Sequence, residues 1–156
     1  MAILTATDAL YMILYTRCPS YLNEAEEAIK EAIKNGKTEA LITLSRIYDL
    51  DKETGDDGEN LALICCQNSS DKREDWFPSL AKALEHPKEE WFLHEGIDPE
   101  VIKKALESYA FKFMKDKALL ASYLVEELGY KVAIDLEEFI DTNNLTISWV
   151  WESENF

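Results

Sequence analysis

Between Leu145 and Trp151 the chain alternates Leu145, Ile147, Trp149 and Trp151 with Thr146, Ser148 and Val150. β-formers at every second position put one set of side chains on each face of a strand. A lone strand leaves half its backbone N–H and C=O groups without partners, so the chain must supply at least one more. Two segments qualify: Lys131–Asp135 and the short apolar run Leu61–Gln67. The second is too short for periodicity to decide between helix and strand, but Asp57-Gly58 just upstream is a tight-turn signal that favours strand.

Most of the remaining chain repeats at helical spacing. Thr7 can cap a helix over about 8–17 that Pro19 ends, and Ser20 or Asn23 can open a second, with Asn23 and Glu26 at capping-box spacing. Leu22, Ala25, Ile29, Ala32 and Ile33 form its apolar stripe, and Gly36 closes it. A third segment from Thr38 places Leu41, Leu44, Ile47 and Tyr48 at helical spacing, which predicts an antiparallel helix pair across a very short connection. Pro78 predicts a helix start inside 72–85, and Pro87 to His94 a short helix that Gly96 ends. The clearest helix has Asp98 as N-cap, Pro99 at its first position and Ile102, Ala105, Leu106, Tyr109, Ala110, Phe113 and Met114 on one face. It is expected to break at Asp116 and resume to Leu128, with Gly129 as its stop. The fold class expected is α+β, predominantly helical: a compact single domain over 1–156 with a small antiparallel or mixed sheet that includes the C-terminal strand 145–151.

The run Ala25, Ile29, Ala32, Gly36, Ala40, Leu41, Leu44 and Tyr48 resembles the small and aromatic spacing of Sel1-like or tetratricopeptide helical repeats. It covers fewer than 30 residues and has no second copy, whereas such repeats bury their faces only by stacking on neighbours. Ordinary packing of two adjacent helices accounts for the same residues.

Charge is the strongest global signal. The chain has 31 acidic and 16 basic residues, a net charge of −15. Nucleic acids and anionic membranes are bound through clustered Lys and Arg, so neither is expected as a direct ligand. The acid is also clustered. Asp49, Asp51, Glu53, Asp56, Asp57 and Glu59 face one base, Lys52, and Asp135, Glu137, Glu138, Asp141, Glu152 and Glu154 face none after residue 131. Residues 99–117, by contrast, hold five lysines against three acids. Only three of the basic residues are arginine, a bias suited to an AT-rich genome such as a phage's. The start of the chain lacks the basic leader of an export signal, and three cysteines, two adjacent, make no disulfide framework, so a cytoplasmic protein is expected.

No arrangement of residues carries a recognisable chemistry. Placing Gly55 or Gly58 at the sixth position of a calcium loop puts Leu50 first or Ile64 twelfth, which excludes an EF-hand. His86 and His94 lack zinc-protease spacing, Cys65-Cys66 has no further ligand pair, and none of the five glycines forms a phosphate loop. Glu24 with Glu27 and Glu138 with Asp141 have the i, i+3 spacing of helical metal-dependent nucleotide hydrolases, but such pairs occur on any acidic helix. A faint helix-turn-helix over 120–140 has an acidic second helix where DNA contact needs Lys and Arg.

The expectation is therefore a non-enzymatic acidic protein, without cofactor or metal, that engages a basic protein surface. An inhibitor of a nucleic-acid-handling enzyme that mimics nucleic acid is one form, in the manner of a phage anti-defence or toxin-immunity protein. The expected contact residues are Asp49, Asp51, Glu53, Asp56, Asp57, Glu59, Glu137, Glu138, Asp141, Trp149, Trp151 and Glu152, an aromatic centre with an acidic rim. The alternatives are a helical adaptor using a hydrophobic surface and a small carboxylate-metal hydrolase.

Overall fold

A computed structural model describes residues 3, 5–44, 55–68, 76–132, 139 and 142–149. In chain order its elements are α1 (Ala6–Arg17), α2 (Pro19–Lys34), β1 (Glu39–Thr43), α3 (Gly55–Gln67), α4 (Trp76–Glu85), α5 (Glu89–His94), α6 (Pro99–Leu106) and α7 (Tyr109–Ser122). A π turn (Tyr123–Glu127), β2 (Lys131–Val132) and β3 (Asn144–Ser148) follow. The fold is predominantly helical α+β with a three-stranded antiparallel sheet that includes the C-terminal strand. The chain divides into two compact units: residues 1–45 with 120–156, and residues 46–119.

The first unit holds the sheet, in the order β1-β3-β2. Central β3 pairs Ile147 with both Ala40 and Val132, and Leu145 with Ile42. Leu145 and Ile147, which the alternation puts on one face, are both fully buried. β2 confirms Lys131–Val132 as a partner. The other partner is a correction: Thr38 onward is not a helix but β1, whose Ala40 and Ile42 are buried while Leu41 is exposed. Five residues alternate where a helical stripe was read, because Ala40, Ile42 and Leu44 fit a two-residue period as well as Leu41 and Leu44 fit a helical one, and β3 needs a second partner. The expected helix pair is thus a helix followed by a strand, and the repeat resemblance fails with it. Gly36, at φ +72°, makes this reversal: Gly36 N–H donates to Ile33 O at 3.0 Å and Lys37 N–H to Ala32 O at 2.9 Å. Asn143 clasps the far end of the β1–β3 pair. Its carbonyl accepts from Leu44 N–H at 2.8 Å and its side-chain amide donates to Leu44 O at 2.6 Å.

The helices of this unit start earlier than expected. Thr5, not Thr7, caps α1, its hydroxyl accepting from Asp8 N–H at 3.0 Å. Pro19 does not merely end α1; it opens α2, where its missing N–H costs nothing.

In the second unit Leu61–Gln67 is helix, not strand, and Asp57-Gly58 lies inside α3 instead of in a turn. Gly58, Leu61, Ala62 and Cys65 are all buried at i, i+3, i+4 and i+7. That period appears only when Gly58 is counted as a packing position. A Cβ at Gly58 would overlap Ser108 Oγ and stand 3.1 Å from both Ala110 Cβ and Phe111 N, so glycine permits the close approach. α4 starts at Trp76, two residues before Pro78, which the first turn tolerates. α6 keeps its expected start, with Asp98 Oδ1 accepting from Glu100 N–H at 2.8 Å. Its break falls at Glu107-Ser108, not at Asp116, because Ser108 caps the next helix. Ser108 Oγ accepts from Phe111 N–H at 3.2 Å and donates to Ala105 O at 2.6 Å.

Candidate functional site

α1 is apolar on more than one side. Leu14 is fully buried and Cys18, just past its end, nearly so, while Tyr11, Met12 and Tyr15 are 44%, 53% and 63% exposed. Asp8, Tyr11, Met12 and Tyr15 stand at i, i+3, i+4 and i+7, one continuous face of the helix. A helix that buries one apolar face and presents a second is asking for a covering surface.

Beside that face lies a groove of 320 Å³. Tyr11 and Tyr15 of α1 form one wall and Leu22, Ala25 and Ile29 of α2 another. Leu120 of α7 with Tyr123, Leu124, Leu128 and Tyr130 completes it. The π turn matters here: a wider helical turn carries Tyr123 and Leu124 to the same cavity as neighbours in sequence, and such insertions recur at functional sites. Gly129, at φ +82°, ends the segment, and Tyr130 N–H donates to Leu124 O at 2.9 Å, turning Tyr130 back to the groove. The rings make a chain. Tyr11 stacks on Tyr15 at 6.3 Å between centroids and meets Tyr123 at 6.1 Å and 51°.

The rim is polar. Lys30 Nζ lies 2.8 Å from Glu26 Oε1, so those two charges offset each other. Thr7 Oγ1 donates to Glu127 Oε2, joining α1 to the π turn. Burial holds the Tyr123 phenol above the ordinary tyrosine pKa, with smaller contributions in the same direction from Tyr11, Asp8 and Glu127. The groove thus has tyrosine faces in its lining, with Asp8 and Glu127 beside that lining at the start of α1.

No protein-family model, curated protein or solved structure matches the chain.

The residues expected to form the contact surface are placed unevenly. Asp49, Asp51, Glu53, Glu137, Glu138, Asp141, Trp151 and Glu152 lie outside the described residues. Asp56, Asp57 and Glu59 fall in α3, where Asp57 is exposed and Glu59 half-buried. Trp149 is half-buried after β3 and meets Tyr130 edge-on at 6.2 Å, which connects it to the groove lining. The tyrosine cluster itself was not anticipated. Its signal was present in Tyr11 and Tyr15, one turn apart in a helix too uniformly apolar for a surface position.

The second unit offers less. Asn68, Glu90, Trp91, His94 and Glu95 line a polar recess of 340 Å³, and Lys88 Nζ lies 6.0 Å from the Trp91 ring. His86 and His94 are exposed. Cys65 and Cys66 are buried free thiols, and burial pushes the Cys65 thiol up to about 12. They are packing groups, not nucleophiles. Among the described residues no group of three or more His, Cys, Asp or Glu is arranged to hold a metal ion, and no helix is long and apolar enough to cross a membrane.

Proposed function

We propose that this chain is a non-enzymatic binding protein that engages a basic protein surface. The observation that carries the reading is the exposed Tyr11, Met12 and Tyr15 face beside a tyrosine-lined groove, in a chain of net charge −15. Aromatic side chains supply large contact area at small entropic cost, and surrounding acid selects a partner of opposite charge and speeds encounter. A nucleic-acid-handling enzyme is one such partner, its basic cleft meeting carboxylates in place of phosphates; a phage anti-defence or toxin-neutralising role belongs to this reading.

The adaptor reading, in which apolar surface alone drives binding and charge is incidental, is favoured by the same exposed helix. Salt separates the two. Affinity capture in the native cell, followed by titration of the purified partner, is expected to give a basic protein whose Kd weakens by about tenfold or more between low and high salt. Charge-neutral variants at Asp56, Asp57 and Glu59, or at Glu137, Glu138 and Asp141, should flatten that dependence. An affinity indifferent to salt and to both sets of variants sinks the basic-partner reading and leaves the adaptor.

A further inference from the structure

Resting on that reading, we infer that the groove between α1, α2 and the π turn receives one amphipathic helix of the partner, apolar side chains inward and Lys or Arg toward Asp8 and Glu127 beside it.

The shape of the apolar surface selects a helix over a single small ligand. At 320 Å³ the groove sits at the lower end of small-molecule pockets, which run from about 300 to 1,000 Å³. The apolar surface does not stop at the groove, however, because Met12 continues it along α1 while 53% exposed. On α2 the apolar lining runs from Leu22 to Ile29, seven positions apart, or about 10 Å at 1.5 Å per residue. Two turns of an opposing helix, with apolar anchors at i, i+3 or i+4 and i+7, match that length.

Charge selects the helix's flanks. Lys30 lines the groove but is paired with Glu26; beside the lining, Asp8 stands one turn before Tyr11 on α1, and the hydrogen bond from Thr7 holds Glu127 at that same end of the helix. A cation entering there meets carboxylates together with the negative faces of Tyr11 and Tyr123. The same charge argues against a second copy as the occupant, since two chains of −15 each repel one another.

The test uses the full chain and synthetic probes: an amphipathic peptide with Leu at i, i+3, i+4 and i+7 and Lys elsewhere, its Glu-flanked twin, and an isomer of the first with the leucines scrambled. The patterned Lys peptide is expected to bind at least about tenfold tighter than either control, a difference of about 1.4 kcal/mol. Tyr15→Asp and Met12→Asp, both at exposed positions and with folding checked by circular dichroism, should each remove most of that advantage, and Asp8→Asn should weaken binding about two- to threefold. Equal binding of the scrambled peptide, equal binding of the Glu twin, or indifference to Tyr15→Asp overturns the inference. So does a dimer, seen by sedimentation, that Tyr15→Asp dissociates. Retention by Tyr15→Asp of salt-dependent binding to the purified basic partner overturns this site while leaving the proposed function standing.

Discussion

Gly58 of α3 packs so closely on Ser108 that a Cβ at residue 58 would overlap the serine Oγ, and the same serine caps the next helix through Phe111 N–H at 3.2 Å. The close approach of α3 and the start of α7 therefore share one residue.

Gly58→Ala is expected to destabilise the protein by about 1–3 kcal/mol, although alanine is intrinsically the better helix former by about 1 kcal/mol. Ser108→Ala should cost about 1 kcal/mol through the lost cap. The double variant should be less destabilised than the sum, because removing Oγ relieves one of the three contacts, while Ala110 Cβ and Phe111 N remain at 3.1 Å. Urea unfolding of the four proteins measures the coupling; strict additivity would show that the two residues do not meet.

Truncation on β3 should depend on face. Ile147→Ala, at a fully buried position between Ala40 and Val132, is expected to cost about 2–5 kcal/mol, while Thr146→Ala, on the other face, should stay within about 1 kcal/mol. Similar thermal shifts for both would contradict the register.

The Asn143 side chain closes the β1–β3 end by donating to Leu44 O at 2.6 Å. Asn143→Ala should destabilise by about 1 kcal/mol and raise amide exchange at the Leu44 end of β1. Unchanged exchange there would remove the clasp from the account.

Thiol chemistry gives a pH prediction with a definite sign. Burial raises Cys65 to about 12 and moves Cys66 and Tyr123 in the same direction, so the folded state keeps protons that the unfolded state releases first. The stability these groups contribute is whole below the unfolded thiol range and is lost as pH rises from about 8.5 upward. Denaturant midpoints should fall steadily above that pH. At about pH 8 the three buried cysteines should react slowly with a thiol reagent until denaturant is added, whereupon all three titrate. Rapid modification of Cys65 or Cys66 in the native chain would contradict the packing of α3.

The legibility of the chain follows from the range of the interactions involved. Asp98 and Pro99 announced α6 because an N-cap and a first-turn proline act within a few residues, and Gly36 and Gly129 announced their stops for the same reason. Leu41 and Gly58 misled because each takes its meaning from a distant partner. Leu41 fits a helical stripe until Thr146 stands opposite it on β3. Gly58 signals a turn until Ser108 occupies the space its side chain lacks. The expected contact surface was read from charge, which marks composition but not position. The tyrosine groove was missed because it joins Tyr11 to Tyr123 across more than a hundred residues.

By itself the sequence determined the helical majority, a strand beginning at Leu145 that needs a partner from elsewhere in the chain, and a net charge of −15, since periodicity, capping and net charge are local or additive properties. Tertiary structure alone decided that residues 39–43 are the other edge of the sheet, that α3 is a helix packed through a glycine, and that four tyrosines from three segments line one groove. Those outcomes depend on which surfaces meet, and burial and hydrogen bonding between distant residues outweigh the fraction of a kcal/mol per residue by which local propensity prefers helix to strand.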